Sequence, residues 1–129
     1  MAIRVLLVDD VPELRFLFRR IFEMDERFEV VGEAGDGYQA IELARIHRPD
    51  VVVLDVAMPR LDGLQAIPLL HEASPASRIM MLSGFAGDSL AQTALDLTAT
   101  AFIEKGAPTE NIVELAEAVS KSPPKRTDR

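Results

Sequence analysis

The sequence predicts an α/β domain in which helices cover both faces of a five-stranded, doubly wound parallel sheet. Five short apolar runs, several rich in β-branched residues, alternate with segments whose apolar residues recur at helical spacing. Such alternation favours right-handed crossover connections, which make neighbouring strands parallel and distribute the helices over both faces. The length of 129 residues and a composition of 48% hydrophobic and 27% charged residues suit one globular domain.

The first two strands and helices are bounded by glycine and proline. Residues 3–8 form an apolar run with little alternation, which is typical of a strand covered on both faces. Pro12 suits the first turn of the helix that follows. Residues 28–33 predict a shorter strand, and the Gly-Asp-Gly turn at 35–37 leads into a second helix that His47-Arg48-Pro49 ends.

The third strand, residues 50–54, delivers Asp55 to a loop that contains an Asp-Gly turn at 62–63. The helix after this turn contains Pro68, which cannot donate a backbone hydrogen bond. We therefore expect a kink or a late start of the third helix. Residues 78–82 predict the fourth strand, which leads to Ser83.

The last part of the chain contains one weak and one strong helix. Residues 87–97 are alanine-rich with thin amphipathicity, so the fourth helix is expected to be the least firmly held. The fifth strand covers 100–104, and a helix with a clear apolar stripe opens at Pro108. We expect a domain over residues 1–121, followed by a flexible tail or truncated linker over 122–129.

Polar side chains follow four of the five predicted strands. Asp9 and Asp10 follow the first strand, Asp55 the third, Ser83 the fourth and Lys105 the fifth. Because parallel strands end at one edge of the sheet, we expect these five side chains to converge there. Three adjacent carboxylates repel one another, so the cluster implies a cation. Hard oxygen ligands suit Mg²⁺, above all where a phosphoryl group supplies further oxygens, and Mn²⁺ could substitute.

Asp55 is the candidate nucleophile of this edge. An aspartate can form a covalent acyl phosphate, and a metal ion reduces the repulsion between the two anions. Lys105 can pair with one phosphoryl oxygen, and the Ser83 hydroxyl can donate a hydrogen bond to another. Each residue taken singly is a common turn, cap or surface residue. Their joint placement at one sheet edge is what favours a phosphoryl-transfer site.

With these residues in place, the chain from about residue 3 to 121 resembles the receiver domain of two-component response regulators. The resemblance rests on the acid pair Asp9-Asp10, on Asp55, and on the Ser83 hydroxyl and the Lys105 side chain. The sequence Asp-Val-Ala-Met-Pro over 55–59 and the turn at 62–63 add to it. The resemblance implies a flavodoxin-like sheet of strand order 2-1-3-4-5. It also implies that a histidine kinase or histidine phosphotransfer protein phosphorylates Asp55, and that Ser83 and Lys105 contact the phosphoryl group.

The resemblance implies two further roles. The implied metal ligands are the side chains of Asp9, Asp10 and Asp55 and the backbone carbonyl of Ala57. Phe102 matches the family's switch aromatic, although a core aromatic is an equally good interpretation. Two residues depart from the usual pattern: Gly106 stands where proline often follows the lysine, and Phe102 stands in place of tyrosine. A switch at Phe102 would therefore work by packing alone.

The expected function is a phosphorylation-dependent signalling module that switches the surface formed by the fourth helix, the fifth strand and the fifth helix. The alternative is a pseudo-receiver that binds partners without phosphorylation. An aspartate-nucleophile phosphatase needs a general acid/base near the nucleophile, and Ala57, two residues after Asp55, cannot serve. We therefore expect no enzyme with external turnover.

Composition and net charge limit the kinds of partner and the compartment that we expect for this chain. A net charge of −7 and a pI near 4.8 disfavour nucleic-acid binding by this segment. No apolar run approaches membrane-spanning length, and the absence of cysteine fits a reducing compartment, so we expect a cytoplasmic protein. Besides the phosphodonor protein, the expected partners are a downstream protein or an output domain beyond residue 122, and a homodimer formed on phosphorylation. Arg15, Arg19 and Arg20 predict a solvated face, with a partner-docking patch as the minority alternative.

Overall fold

The computed structural model describes residues 1–56, 58, 60–84 and 101–123. Its strands are β1 (Ile3–Val8), β2 (Phe28–Ala34), β3 (Val51–Asp55), β4 (Arg78–Ser83) and β5 (Ala101–Glu104). Its described helices are α1 (Pro12–Glu23), α2 (Gly37–His47), α3 (Gly63–Ala73) and the C-terminal helix (Thr109–Lys121). The predicted fourth helix over 87–97 and the tail beyond residue 123 lie outside the described residues.

The five strands form one sheet of order β2-β1-β3-β4-β5, and every neighbouring pair is parallel. The predicted fold class and strand order are therefore confirmed. The register aligns the ends of the central strands, with Val8 opposite Leu54 and Asp55 opposite Leu82. At the outer pair, Ser83 lies opposite Glu104, so Lys105 directly follows the last paired residue. The carboxyl ends of β1, β3, β4 and β5 consequently meet at one edge.

Alternating side chains of the central strands supply two hydrophobic cores, one on each face. On one face, β-strand residues such as Leu6, Val52 and Met81 pack with buried residues of α2 and α3. On the other face, Leu7 and Val53 pack with buried residues of α1 and the C-terminal helix. Both faces are thus covered, as the continuous apolar runs of the strands predict. In the described part of the chain, no helix is both long and apolar enough to cross a membrane.

Helix α3 begins at Gly63, directly after the Asp-Gly turn. The Asp62 side chain accepts a hydrogen bond from the Gln65 amide at 2.8 Å, and the Gln65 side chain accepts one from the Asp62 amide at 3.1 Å. This capping box satisfies two amides of the first turn. Pro68 lies inside the helix on its exposed side. The alternative of a late start is therefore wrong, because the cap fixes the helix start upstream of the proline.

Candidate functional site

Three carboxylates meet at the carboxyl edge of the sheet, as predicted. Asp9 and Asp10 follow β1, and Asp55 ends β3. Asp9 and Asp55 are each only 3% exposed, and Asp10 is partly exposed. One oxygen from each residue can be chosen so that all three lie within 4.8 Å of one another. Negative charges at such short distances and with so little exposure to solvent repel one another strongly, so the cluster needs positive charge nearby.

Lys105 supplies positive charge inside the cluster. Its Nζ lies 3.0 Å from Asp9 Oδ2 and 3.1 Å from Asp55 Oδ2, and its side chain is 17% exposed. Burial by itself would lower the pKa of Lys105, but the contact with Asp9 and the charge of Asp55 raise it above its usual value. The lysine therefore stays charged and bridges the first and third strands from the end of the fifth.

One ammonium does not satisfy all the oxygens of the cluster. Asp9 Oδ2 is buried and, among the described residues, accepts no hydrogen bond of good geometry, although Lys105 lies 3.0 Å away. Buried carboxylate oxygens normally have such a partner. Three carboxylates with an incompletely satisfied oxygen are a donor set of hard oxygens that suits Mg²⁺. The residues present therefore fit the ion that the sequence predicts.

The backbone around Asp9 is fixed from two sides. The Asp9 amide donates to the Ala34 carbonyl of β2 at 3.0 Å, and Asp9 Oδ1 accepts from the Val11 amide at 2.9 Å. Arg15 of α1 donates from Nη1 to the Asp9 carbonyl at 2.7 Å and from Nε to Glu33 at 3.0 Å. The interpretation of Arg15 as part of a solvated face is therefore wrong. It joins α1, β2 and the turn that carries the acid pair.

Glu33, at the end of β2, ties two arginines of α1 together. It binds Arg15 through one oxygen and Arg19 through the other. Burial would raise the pKa of Glu33, but hydrogen bonds from Arg19 and Arg15 lower it below its usual value. Arg19 also pairs with Glu23 at 2.8 Å, whereas Arg20 is exposed and lies over the Phe16 ring. Helix α1 is thus anchored by ion pairs beside the acid cluster.

The loop after Asp55 returns tightly to the end of β3. The Gly63 amide donates to the Val56 carbonyl at 2.8 Å. A Cβ atom at Gly63 would lie 2.2 Å from the Asp55 carbonyl oxygen, closer than any real contact. Only glycine lets α3 begin this close to the strand end. The requirement for glycine at 63 thus belongs to the geometry of the site as well as to the turn.

The remaining predicted site residues are placed as follows. Ser83 is 2% exposed, and its carbonyl accepts from the Lys105 amide at 2.7 Å, which links the ends of β4 and β5. Phe102 on β5 is half-buried and packs against the core beneath α2 and α3. Ala57 lies outside the described residues. Among the described peptide bonds none is cis, which includes the bond between Lys105 and Gly106.

Comparison with known proteins agrees with this geometry. Residues 5–117 match the family model described as the response regulator receiver domain. The chain belongs to that family. It is 35% identical to the chemotaxis protein CheY of Bacillus subtilis over 114 residues, which are 88% of this chain and 94% of that protein. It is 36% identical to BvgA of Bordetella pertussis over 116 residues, 90% of this chain. It spans 55% of the length of BvgA.

A solved structure adds a comparison at the level of the fold. The receiver domain is similar to CheY of Borrelia burgdorferi, with a TM-score of 0.85 and 27% identity. The alignment covers 92% of this chain and 90% of that one. The Borrelia protein was crystallised in a complex with CheX that contains BeF₃ and Mg²⁺. The family model over residues 5–117 confirms the predicted family.

Reasoning from the sequence missed three residues that the structure places around the site. Arg15 holds the Asp9 carbonyl, and Asp36 pairs with Arg60 across the loop that follows Asp55. The sequence did hold a signal for the role of Arg15, because Glu33 stands at the end of a predicted strand and the first predicted helix is rich in arginine. Arg60 has a left-handed backbone with φ of 66°, which no local pattern in the sequence indicates.

Proposed function

We propose that this receiver domain accepts a phosphoryl group on Asp55 from a histidine kinase or a histidine phosphotransfer protein, and that the resulting acyl phosphate is its signalling state. One observation carries the proposal. The Lys105 ammonium lies 3.0 and 3.1 Å from Asp9 and Asp55 inside a buried acid cluster. A partly buried lysine shared by two carboxylates is poised to exchange one of them for a phosphoryl oxygen.

The transfer makes one bond and breaks one. A carboxylate oxygen of Asp55 forms the new O–P bond while the P–N bond of the phosphohistidine breaks. The electron pair of that bond stays on the imidazole, which leaves neutral because its other nitrogen carries a proton. No external oxidant or water is needed. The charge on the transferring group is spread over its three oxygens, so the domain's task is positioning and electrostatic stabilisation.

Each cluster residue has a role in that task. Asp9, Asp10, Asp55 and the carbonyl of Ala57 would hold Mg²⁺, which when bound offsets the negative charge of nucleophile and phosphoryl group. Lys105 pairs with one phosphoryl oxygen, and the Ser83 hydroxyl donates to another. The Mg²⁺ in the Borrelia burgdorferi CheY complex supports the choice of ion. Lys105, at the end of β5, also carries the change at the site to that strand.

We propose that phosphorylation switches the surface formed by the predicted fourth helix, β5 and the C-terminal helix. Phe102, half-buried on β5 and without a hydroxyl group, would respond by changing its packing. Residues 1–121 would form the switching domain and 122–129 a tail or linker. The output would be a downstream protein, a further domain or a homodimer. We place the domain in the cytoplasm, where its phosphodonor proteins would present their histidines.

The direct test is labelling by a small phosphodonor. Wild-type protein and Asp55→Asn are incubated with acetyl phosphate and Mg²⁺, and intact mass reports the added phosphoryl group. We expect labelling of the wild type, none of Asp55→Asn, and little of Asp10→Ala, because that variant loses metal first. Equal labelling of wild type and Asp55→Asn would overturn the assignment.

A second measurement separates the proposal from the pseudo-receiver. Any partner found for the domain is titrated with wild type and Asp55→Asn, each with and without phosphodonor. The proposal expects phosphodonor to change the affinity of the wild type alone. A tight affinity that neither the substitution nor the phosphodonor changes would favour a phosphorylation-independent interaction instead.

A further inference from the structure

The loop that follows Asp55 is fastened to a neighbouring helix by a buried aspartate. Asp36 is 3% exposed and caps α2 by accepting from the Gln39 amide at 2.9 Å. Its other oxygen pairs with Nη2 of Arg60, which lies in the loop between β3 and α3. The Gln39 hydrogen bond and the Arg60 contact both lower the pKa of Asp36 below its usual value. Asp36 thus remains a carboxylate bound at both oxygens.

Backbone contacts hold the same two segments together. The Gly37 amide donates to the Leu61 carbonyl at 3.2 Å. A Cβ atom at Gly37 would lie 2.6 Å from that carbonyl oxygen, so the loop passes directly against the first turn of α2. Leu61 is 9% exposed and belongs to the core beneath α2 and α3. The far half of the loop is therefore fixed by a side-chain pair, a backbone hydrogen bond and a buried leucine.

Arg60 pairs with Asp36 from an uncommon backbone conformation. Its φ of 66° lies in the left-handed region, which costs energy for a residue other than glycine. The Arg60 side chain is 68% exposed, so burial of its own surface does not account for that conformation. The ion pair with the buried Asp36 carboxylate is a contact that can offset this cost. The pair and the loop conformation are thus coupled.

The near half of the loop carries the backbone carbonyl proposed as a metal ligand. In the sequence, Ala57 stands between Val56, whose carbonyl accepts from the Gly63 amide at 2.8 Å, and Arg60, which pairs with Asp36. We propose that Asp36 and Arg60 are a positioning pair that holds this loop in the conformation that binds Mg²⁺. The inference rests on the proposed function for the meaning of that ion. Neither residue contacts the phosphoryl group in this scheme, because both act through the loop.

A pure charge effect and a positioning effect predict different changes in Mg²⁺ affinity. If the two residues acted only through their charge, loss of Asp36 would weaken Mg²⁺ binding, and loss of Arg60 would strengthen it. If they act by holding the loop, loss of either weakens binding, and losing both costs no more than losing one. The signs of the two effects therefore separate the two mechanisms.

The experiment measures Mg²⁺ affinity of the unphosphorylated protein by titration calorimetry. The variants are Asp36→Asn, which keeps a capping side chain, Arg60→Asn, which tolerates a left-handed backbone, and the double variant. We expect each to weaken Mg²⁺ binding by about tenfold, the low end for loss of a supporting contact around a metal site. The double variant should bind no more weakly than the more affected single variant. Opposite signs for the two single variants, or unchanged affinity in both, would overturn the proposal.

A matched control lies on the same helix. Glu42 and Arg45 of α2 form an exposed ion pair with each other at 2.7 Å, further along the helix than Asp36 and Gly37. Glu42→Gln and Arg45→Asn repeat the same charge changes and should leave Mg²⁺ affinity unchanged. A loss of affinity in Glu42→Gln together with a gain in Arg45→Asn would show that charge on α2, rather than the loop contact, controls the ion. Thermal unfolding confirms that each variant is folded. Should Asp36→Asn fail to fold, Arg60→Asn decides, with Arg60→Lys expected to restore part of the affinity.

Hydrogen exchange provides a readout that needs no ion. In Mg²⁺-free protein, the backbone amides of residues 56–58 and 60–62 should exchange faster in Asp36→Asn and Arg60→Asn than in the wild type, while β3 amides stay unchanged. Unchanged exchange in the loop would contradict the positioning role. These measurements use no phosphodonor, so failure of Asp55 to accept a phosphoryl group would leave them interpretable and would be detected separately by the labelling test.

Discussion

Asp36 and Asp9 are equally buried, at 3% exposure each, yet their surroundings differ. Asp36 uses one oxygen for the α2 cap and the other for Arg60. Asp9 uses one oxygen for the Val11 amide, while its other oxygen shares Lys105 with Asp55 and accepts no well-formed hydrogen bond among the described residues. The comparison separates a carboxylate that holds the structure from one whose oxygen is available to a ligand.

The largest effect on stability is expected in the loop between β3 and α3, which lies between the acid cluster around Asp9 and the contacts of Asp36. Gly63→Ala places a Cβ 2.2 Å from the Asp55 carbonyl oxygen, a backbone atom that cannot move aside. We expect a loss of about 3 kcal/mol in the free energy of unfolding. Urea denaturation measures it. Gly106→Ala is the control, because no described atom lies within 4 Å of its Cβ, and its effect should stay within about 0.5 kcal/mol.

Lys105→Ala tests the acid cluster itself. In the presence of a chelator, the three carboxylates lose their cation, and we expect a loss of about 2 kcal/mol, because protonation of one acid limits the penalty. Mg²⁺ should restore most of this loss, since the ion supplies the missing charge. Denaturation with and without Mg²⁺ checks both statements. Lys121→Ala, at an exposed lysine, is the control. An equal loss in both conditions would contradict the electrostatic account.

Asp36→Ala and Asp10→Ala compare the two kinds of acid directly. Asp36→Ala removes a helix cap and leaves Arg60 without its partner, so we expect a loss of about 1–2 kcal/mol with or without Mg²⁺. Asp10→Ala should be neutral or stabilising in the presence of a chelator, because it relieves repulsion, and should lose the stabilisation that Mg²⁺ gives the wild type. Similar behaviour of the two variants in both conditions would remove the distinction between the acids.

The smallest expected effect is the dependence of stability on pH. The pKa of Asp36 is lower in the folded protein than its usual value, so its stabilisation is complete above the unfolded value near 3.9. That stabilisation is lost as the pH falls through the folded pKa. Asp36→Asn should therefore show a shallower decline of the free energy of unfolding below about pH 4. Glu42→Gln, at an exposed carboxylate of the same helix, is the control, and matching slopes in wild type and Asp36→Asn would contradict the prediction.

Sequence patterns sufficed for the sheet and for the convergence of its polar ends. Apolar runs bounded by proline and glycine located all five strands to within a residue or two, and parallel connections then forced Asp9, Asp55 and Lys105 to one edge. The start of α3 was within reach as well. Asp62 and Gln65 have the spacing of a capping box, which outweighs the effect of Pro68 on the helix start.

The supporting contacts could not be predicted in the same way. The pairing of Asp36 with Arg60 depends on a left-handed backbone in an irregular loop, where no periodicity constrains the side chain. The bond from Arg15 to the Asp9 carbonyl depends on how α1 is oriented relative to β2. Such contacts join segments that are distant in sequence, and no periodic pattern of residue types indicates which side chains will meet.

The backbone bond from Lys105 to the Ser83 carbonyl continues the pairing of β4 with β5. The acid site is complete only when this last strand has docked, because its lysine lies at the end of the fifth strand and its acids follow the first and third. Closing such a long stretch of chain costs conformational entropy before any contact offsets it. We therefore expect a folding chain to assemble its hydrophobic sheet before its charged edge. An intermediate with β5 undocked would carry Asp55 without the ammonium that neutralises it.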